Sequence, residues 1–311
     1  MKKIILILLL LLTGCSKEIK PITKNLFYMD TLINIKIYET DIKKVDDAII
    51  YIDNLYKKYD EITNFYNENS ELSKLNNSKQ LTISNELYDL IEIGIEYYNK
   101  SNGLFNINMG GVSKIWHNFR ENPTNLPTEQ LNIDISIDNI KLLDNNTIIN
   151  NGFSIDLGAL VKGYVTELAG NYLEENGLNN YIINAGGNVK VGKSHKGYYT
   201  IGIANPNKNE SIMTVKGENI SVVTSGGYER FYEYNGIFYH HIIDPNTRYP
   251  ANYMKSVTVI GKDSGLCDIL STTLFLMDIE KGKEFIKDYD VSVIWYTLDD
   301  EIIKSEGFNY E

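Results

Sequence analysis

The sequence predicts an α+β fold, built as one globular body of mixed strands and helices. Three observations lead there. Helical and strand patterns follow one another without the regular β-α-β rhythm of a parallel sheet. No internal repeat, low-complexity segment or clean linker divides the body, and the chain holds only 6 prolines in 311 residues. Hydrophobic residues make up 43% and charged residues 23%, which supports a packed core and excludes wholesale disorder.

A leader precedes that body. Lys2 and Lys3 are followed by an unbroken apolar run from Ile4 to Leu12. The run is far short of the roughly 20 residues of a spanning helix, and it has the length and basic flank of a secretory signal. It ends Leu12-Thr13-Gly14-Cys15. Small residues before a cysteine at that place have the form of a bacterial lipoprotein processing site. Residues 1–14 are therefore expected to be a signal peptide and Cys15 to be lipidated. A plain signal with an incidental cysteine is the alternative. Residues 15–25 read as the lipidated cysteine and a polar tether, and residues 26–311 as the folded domain. The expected location is the outward face of a cell membrane, held by the lipid. Cys267 is then left without a partner and reads as a small buried hydrophobe.

Within the body, Phe27 to Tyr38 reads as a strand, because Leu32, Asn34 and Lys36 alternate with Ile33, Ile35 and Ile37. From Asp41 to about Thr63, Val45, Ala48, Ile52, Tyr56 and Tyr59 recur at helical spacing. Ser84 with Glu86 opens a second helix that stops near Gly103, and residues 107–119 suggest a third. Residues 121–137 hold two prolines and read as a loop, and residues 138–155 as short strands broken by Asn-rich turns. Gly158 to Asn176 is helical, with Gly177 as its stop. Tyr181 to Ile183 and residues 198–204, 213–224 and 231–243 read as strands, with Asn235-Gly236 as a hairpin turn. Ser256 to Ile260 is another strand. Asp263 caps a helix to about Met277, Glu280 to Tyr289 is helical, and Val291–Thr297 with Glu301–Ser305 form a closing hairpin.

Lys+Arg is 30 and Asp+Glu 41, a net charge of −11, which makes non-specific nucleic-acid binding a poor candidate. The 2 cysteines exclude a disulfide scaffold and a cysteine-based zinc site.

Five stretches are too polar and Gly-rich to be core alone. Asp156-Leu157-Gly158-Ala159-Leu160-Val161-Lys162-Gly163 sets an acid before a glycine turn and a helix start, where free N–H groups and Lys162 favour phosphate. An N-cap Asp and a surface Lys would read the same way. Asn184-Ala185-Gly186-Gly187-Asn188 allows close backbone approach to a ligand, or simply a tight turn. Thr224-Ser225-Gly226-Gly227-Tyr228-Glu229-Arg230 fits phosphate or ribose recognition, or a turn into an edge strand. His240-His241-Ile242-Ile243-Asp244 brings 2 of the 4 histidines together. Alternation puts them on opposite strand faces, so at most one enters a site. That one can act as base or acid near neutral pH. Asp268 and Thr272, at i and i+4 with Ser271 beside them, share one helix face. Carboxylate, hydroxyl and carbonyl oxygens there suit Mg²⁺; a buried Asp hydrogen-bonded to Thr is the plainer reading. Together the five suggest Mg²⁺-assisted chemistry on a phosphate-bearing ligand.

In this order the motifs resemble the ApbE family of flavin transferase lipoproteins, the FAD:protein FMN transferases. Met29-Asp30-Thr31, Asn64-Phe65-Tyr66 with Ser70-Glu71-Leu72-Ser73, and Gly103-Leu104-Phe105-Asn106 extend the resemblance, which runs from residue 29 to residue 275. It implies Mg²⁺-dependent transfer of the FMN moiety of FAD to a Thr or Ser hydroxyl of an exported flavoprotein, such as a subunit of a redox or ion-pumping complex. AMP is released. Some members hydrolyse FAD to FMN and AMP instead.

The resemblance also implies residue roles. Met29 and Tyr66 would line the flavin or adenine site, and Leu104, Phe105 and Asn106 would form an FAD-contacting loop. Asp156 and Lys162 would contact FAD. The Ala159 carbonyl, Asp268 and Thr272 would hold the metal. His241 would be the catalytic histidine beside the pyrophosphate, with Asp244 as an alternative base or as its orienter, and Ile242 a backbone contact. The turns at Gly186-Gly187 and Ser225-Gly226 would border the cofactor. Asn106 and Glu167 stand where the family has Asp, often at the first and usually at the second. Leu270, Ser271 and Thr273 stand at common Ala positions. The rival from another class is a non-catalytic ligand-binding lipoprotein, which needs neither the metal nor the histidine.

Overall fold

Residues 19–310 are described by the computed structural model, apart from residues 124, 128, 208, 209 and 229. The leader, the lipidation candidate Cys15 and residues 16–18 lie outside the described residues.

An antiparallel sheet of eight strands organises the chain, with strands and helices numbered here in chain order. Across the sheet run β1 (Ile22–Tyr28), β2 (Thr31–Ile37), β6 (Tyr181–Ala185), β7 (Asn188–Val191), β10 (Ile220–Gly226), β13 (Ser256–Gly261), β14 (Ser292–Tyr296) and β15 (Ile302–Lys304). Strand alternation sorts two faces. Ile33, Ile35 and Ile37 meet α1 (Ile42–Thr63) and α5 (Val161–Glu175), which bury Val45, Ile52, Tyr56, Val165 and Leu173 against them. On the same face, Val223, Val257, Val259, Val293 and Trp295 meet α6 (Ser264–Phe275). On the opposite face, Val191, Val222, Ile260 and Ile294 are covered by the hairpin of β8 (Tyr199–Ala204) and β9 (Ser211–Gly217) through Ile201, Ile203 and Val215.

The remaining elements build the rim. They are α2 (Glu71–Asn76), β3 (Gln80–Thr82), α3 (Asn85–Lys100), α4 (Gly110–Glu121), β4 (Ile140–Leu143), β5 (Thr147–Asn150), the ribbon of β11 (Phe231–Tyr234) and β12 (Ile237–His240), and α7 (Ile279–Phe285). Tyr232 and Tyr239, paired across the ribbon, pack on Trp116 of α4. Helix starts follow their capping residues. Asp41, Ser84 and Asp263 each accept the N–H three residues on, which satisfies a donor the helix cannot.

Several sequence expectations are corrected. The strand expected over residues 27–38 is a hairpin: Met29 and Asp30 turn the chain with φ of 54° and 57°. Asp30 tolerates that conformation but Met29 does not favour it, so the turn carries only a weak compositional signal. β1 begins at Ile22 and takes in residues 22–25, assigned above to the tether; only Leu26 of this edge strand is buried, so its polar face reads as loop. The strand expected over residues 213–224 is two, β9 and β10, separated by a turn with Asn219 at φ 53°. Helix α5 starts at Val161, three residues after Gly158, and the short elements α2, β3 and β7 carry too few residues to show a period.

Candidate functional site

The site is an open mouth at one end of the sheet, framed by the turns that follow β1, β6 and β10. Two surface hollows, at Met213–Thr214 with Ile302 and at Tyr38 with Asn180 and His195, include none of the candidate residues.

Its centre is the crossing of α5 and α6. The Gly163 N–H donates to Asp268 Oδ2 at 2.7 Å. Gly163 is the third residue of α5, so its N–H is one of the donors at a helix start that find no partner within the helix. Asp268 satisfies it from the neighbouring helix, and no backbone donor among the described residues reaches the Ala159 carbonyl. The helices come this close only because residue 163 lacks a side chain: a Cβ there would lie 2.4 Å from Asp268 Cβ and 2.5 Å from the Ser264 carbonyl oxygen. One turn along α6, Ser225 Oγ lies 2.8 Å from Ser271 Oγ and 3.2 Å from Thr272 Oγ1. Asp268 is buried, and burial pushes its carboxyl pKa up, while Lys162, the Gly163 N–H and the nearby Asn188 amide pull it back. Asn188 Nδ2 is buried without a hydrogen bond of good geometry, and its Oδ1 takes the Ser264 hydroxyl at 2.5 Å.

This donor set fits Mg²⁺. One carboxylate, a hydroxyl and an unbonded main-chain carbonyl are hard oxygens, and Mg²⁺ is commonly held by one or two carboxylates with substrate phosphates and water completing the shell. Among the described residues no group of three or more His, Cys, Asp and Glu side chains gathers at one point, so Asp268, Thr272 and Ala159 would supply a partial shell.

His241 stands across the mouth, immediately after β12. Its Nδ1 lies 3.3 Å from the Arg230 carbonyl oxygen, which also accepts the His241 N–H at 3.1 Å. A carbonyl only accepts, so Nδ1 carries the ring proton and Nε2 keeps a free lone pair. His241 is exposed as a residue, while protein groups surround its imidazole ring. Burial lowers its pKa to about 3, reinforced by Arg230, Lys162, His240 and Arg120. It is therefore uncharged at neutral pH, with its Nε2 lone pair unshared. His240 is held differently: Nε2 donates to the Ala251 carbonyl at 2.7 Å and Nδ1 accepts the Ile242 N–H at 3.2 Å. Both nitrogens are occupied, which fixes His240 as structural.

Lys162 joins the two halves. Its charge acts on Asp268 and on His241 alike, and its ammonium donates to the Gly158 carbonyl at 3.3 Å. Asp156, which orders the preceding turn by accepting the Gly158 N–H at 2.9 Å, acts on Tyr66. Burial and then Asp156 push the Tyr66 hydroxyl up to about 12, with Arg120 and Arg230 opposing and Asp30 adding. The Tyr66 ring is half-exposed and lies 4.3 Å from that of His117, centre to centre. Met29 sits at the tip of the β1–β2 turn with its N–H on Asp60 Oδ1 at 2.9 Å.

Other candidates are placed less directly. Phe105 is core, edge-on to Tyr97, and Leu104 packs against the α6 side of the core. The Asn106 side chain is spent on the main chain, accepting the Asn108 N–H and donating across to the Ile135 carbonyl. This loop would therefore meet a ligand through its backbone. The Ile242 N–H goes to His240 and its carbonyl accepts the Ala251 N–H, so only a second carbonyl lone pair remains for a ligand. Asp244 neither orients His241 nor stands ready as a base: its oxygens accept the Asn246 N–H at 2.8 Å and the Tyr253 hydroxyl at 3.2 Å.

The sequence profile of the ApbE family matches residues 29–295. The chain belongs to the ApbE family. A Klebsiella pneumoniae protein named FAD:protein FMN transferase is 29% identical over 81% of this chain and 82% of its own length. A Vibrio cholerae protein of the same name is 28% identical over 95% and 93%. The crystal structure of the ApbE protein from Thermotoga maritima matches with a TM-score of 0.85 at 27% identity, covering 92% of this chain and 97% of that one. A mutant of the Vibrio cholerae flavin transferase ApbE matches at 0.79 and 26%, covering 92% and 98%.

In this ApbE chain, sequence reasoning missed Asp60, His117 and Arg120. Arg120 Nη2 donates to His117 Nδ1 at 2.6 Å, which fixes that nitrogen as an acceptor. The i, i+3 spacing of the two on α4 was the available signal. Glu167 reaches Lys190 Nζ at 3.0 and 3.1 Å and accepts the Ser264 N–H at 2.6 Å, so its extra methylene is used to cap the helix that carries Asp268.

Proposed function

We propose that this ApbE-family enzyme transfers the FMN moiety of FAD to a Thr or Ser hydroxyl of an exported flavoprotein, with Mg²⁺ as cofactor and AMP as the released product. The names of the Klebsiella and Vibrio relatives support the reaction class. The observation that carries the reading is the Asp268–Gly163 crossing with the Ser225 and Thr272 hydroxyls one turn along, together with the Nε2 lone pair of His241; the charge of Lys162 acts on both Asp268 and His241.

The acceptor oxygen forms a bond to the phosphorus on the flavin side of the pyrophosphate. The P–O bond to the AMP phosphate breaks, and AMP leaves with that electron pair. An alcohol does not ionise unaided near neutral pH, so its proton passes to His241 Nε2. Lys162 offsets pyrophosphate charge and favours the more highly charged transition state. Asp268, Thr272 and the Ala159 carbonyl would hold Mg²⁺, which when bound neutralises phosphate oxygens. Tyr66 and the Met29 turn offer surfaces for the ring systems. For transfer to win over hydrolysis to FMN and AMP, the docked acceptor must exclude water. Lipidation of Cys15 would hold the enzyme on the outward membrane face, beside exported acceptors.

The test incubates the chain with FAD, Mg²⁺ and a candidate acceptor from a flavin-bearing redox complex. The acceptor's intact mass is recorded with and without EDTA, beside an Asp268→Ala control. An Mg²⁺-dependent gain of one FMN phosphoester, lost in the control, is the expected result. AMP and FMN in solution without the mass gain would move the reading to FAD hydrolysis. FAD bound without turnover would move it to a binding lipoprotein.

A further inference from the structure

Arg230 touches two parts of the mouth at once. Its main-chain carbonyl accepts both the N–H and the Nδ1–H of His241, at 3.1 and 3.3 Å. Its guanidinium crosses to a turn 200 residues away in sequence, where Nη2 donates to the Asp30 carbonyl at 3.1 Å and lies 3.6 Å from Asp30 Oδ2.

The ion pair by itself is a weak stabiliser. The Asp30 side chain is 81% exposed and that of Arg230 40%, and pairs so open to water contribute little. The hydrogen bond to the main chain matters more. Met29 and Asp30 both have positive φ without being Gly, a conformation that persists only where its surroundings over-determine it. Two contacts do so from opposite sides: Asp60 of α1 takes the Met29 N–H, and Arg230 takes the Asp30 carbonyl.

We propose that Arg230 is a positioning residue, coupling the proton-accepting face of His241 to the Met29–Asp30 turn so that base and ligand-facing turn hold a fixed relation. This rests on the transferase reading for the turn's role toward FAD. It does not rest on it for the His241 tautomer. If residue 230 loses its grip on the turn, the loop that presents the 230 carbonyl relaxes. The His241 ring then loses the acceptor that keeps its proton on Nδ1, and Nε2 is no longer reserved for the acceptor hydroxyl.

The test uses Arg230→Gln, Arg230→Lys and Asp30→Asn in the full chain, with two readouts. The first is the ¹⁵N signature of the His241 ring at neutral pH, assigned by its disappearance in His241→Gln. The second is kcat and KM for FAD consumption. Wild type should show the Nδ1–H tautomer. Arg230→Gln should show a mixture of tautomers, with kcat down about 10- to 100-fold, the scale of a misplaced catalytic group, and KM for FAD raised. Arg230→Lys, which keeps a cationic donor, should recover most of both. Asp30→Asn should leave the His241 tautomer as in wild type, because the carbonyl and not the carboxylate is gripped. Arg230→Gln with the Nδ1–H tautomer, kcat and KM all unchanged would overturn the proposal, even if melting temperature fell. If the wild-type chain consumed no FAD, the transferase reading would fail, and the tautomer of Arg230→Gln would still decide the role of Arg230.

Discussion

Gly163 and Asp268 are joined by a 2.7 Å hydrogen bond from a helix N–H to a buried carboxylate, at a crossing that a methyl group would block. A glycine inside a helix ordinarily costs about 1 kcal/mol relative to alanine. Here the sign reverses. Gly163→Ala should destabilise by about 1–3 kcal/mol, the usual range for overpacking, because backbone and Cβ atoms must move. Urea denaturation would show the lowered midpoint. An increase in stability would mean that the helices are not held together as described.

Asp268→Asn keeps the size of the side chain and an acceptor for the Gly163 N–H but removes the charge. Burying an unpaired carboxylate is costly, so the metal-free melting temperature should hold or rise. The Mg²⁺-induced rise in melting temperature should disappear, since binding to the folded state alone is what produces it. FAD turnover should fall about 100-fold or more. A variant that still gains stability from Mg²⁺ would place the metal elsewhere.

His241 has its folded pKa lowered to about 3 by burial and by Arg230, Lys162 and its other cationic neighbours. Its unfolded value is near 6.5. The unfolded chain therefore binds the proton first as pH falls. The contribution to stability is complete above 6.5 and is lost between 6.5 and about 3. The same shift keeps the base unprotonated through the neutral range, so kcat should show no acid limb near 6.5 attributable to this residue. An acid limb at that position that vanishes in His241→Gln would contradict the assignment.

Lys190 and Glu167 form a buried pair, with side chains 6% and 18% exposed. Lys190 also donates to the Lys262 carbonyl at 3.1 Å. Breaking such a pair strands a charge, so Glu167→Ala should cost about 3–5 kcal/mol. Glu167→Asp should cost less but weaken Mg²⁺ affinity, because the shorter side chain cannot reach both Lys190 and the Ser264 N–H that starts α6. Equilibrium unfolding and Mg²⁺ titration measure the two separately.

Features decided within a few residues of chain were legible. Asp41, Ser84 and Asp263 announce helices because a capping side chain acts within one turn. Asn235-Gly236 announces its hairpin because both residues tolerate positive φ, and they have 51° and 77°. The helical period placed Asp268 and Thr272 on one face of α6, whereas His241 lies beyond the end of β12, so strand alternation does not set its direction. What stayed hidden depends on distant partners. Met29-Asp30 turns because Asp60 and Arg230 hold it. Arg120 enters the mouth only once the β11–β12 ribbon packs against α4. Phe105 and Ile242 sit in motifs that suggest ligand contact, yet their side chains are drawn into the core.

The register of the first hairpin sets a direction for the whole molecule. Ile22 pairs with Ile37 at one end of the sheet, and Tyr28 with Thr31 at the other, next to the catalytic mouth. Seven residues of strand separate them by about 20 Å. An anchor upstream of Ile22 would join the sheet at the Ile22–Ile37 end, like a string on a kite. If Cys15 is lipidated as proposed, the candidate mouth lies at the far end of this hairpin from the anchor, and the length of chain before Ile22 would set its reach.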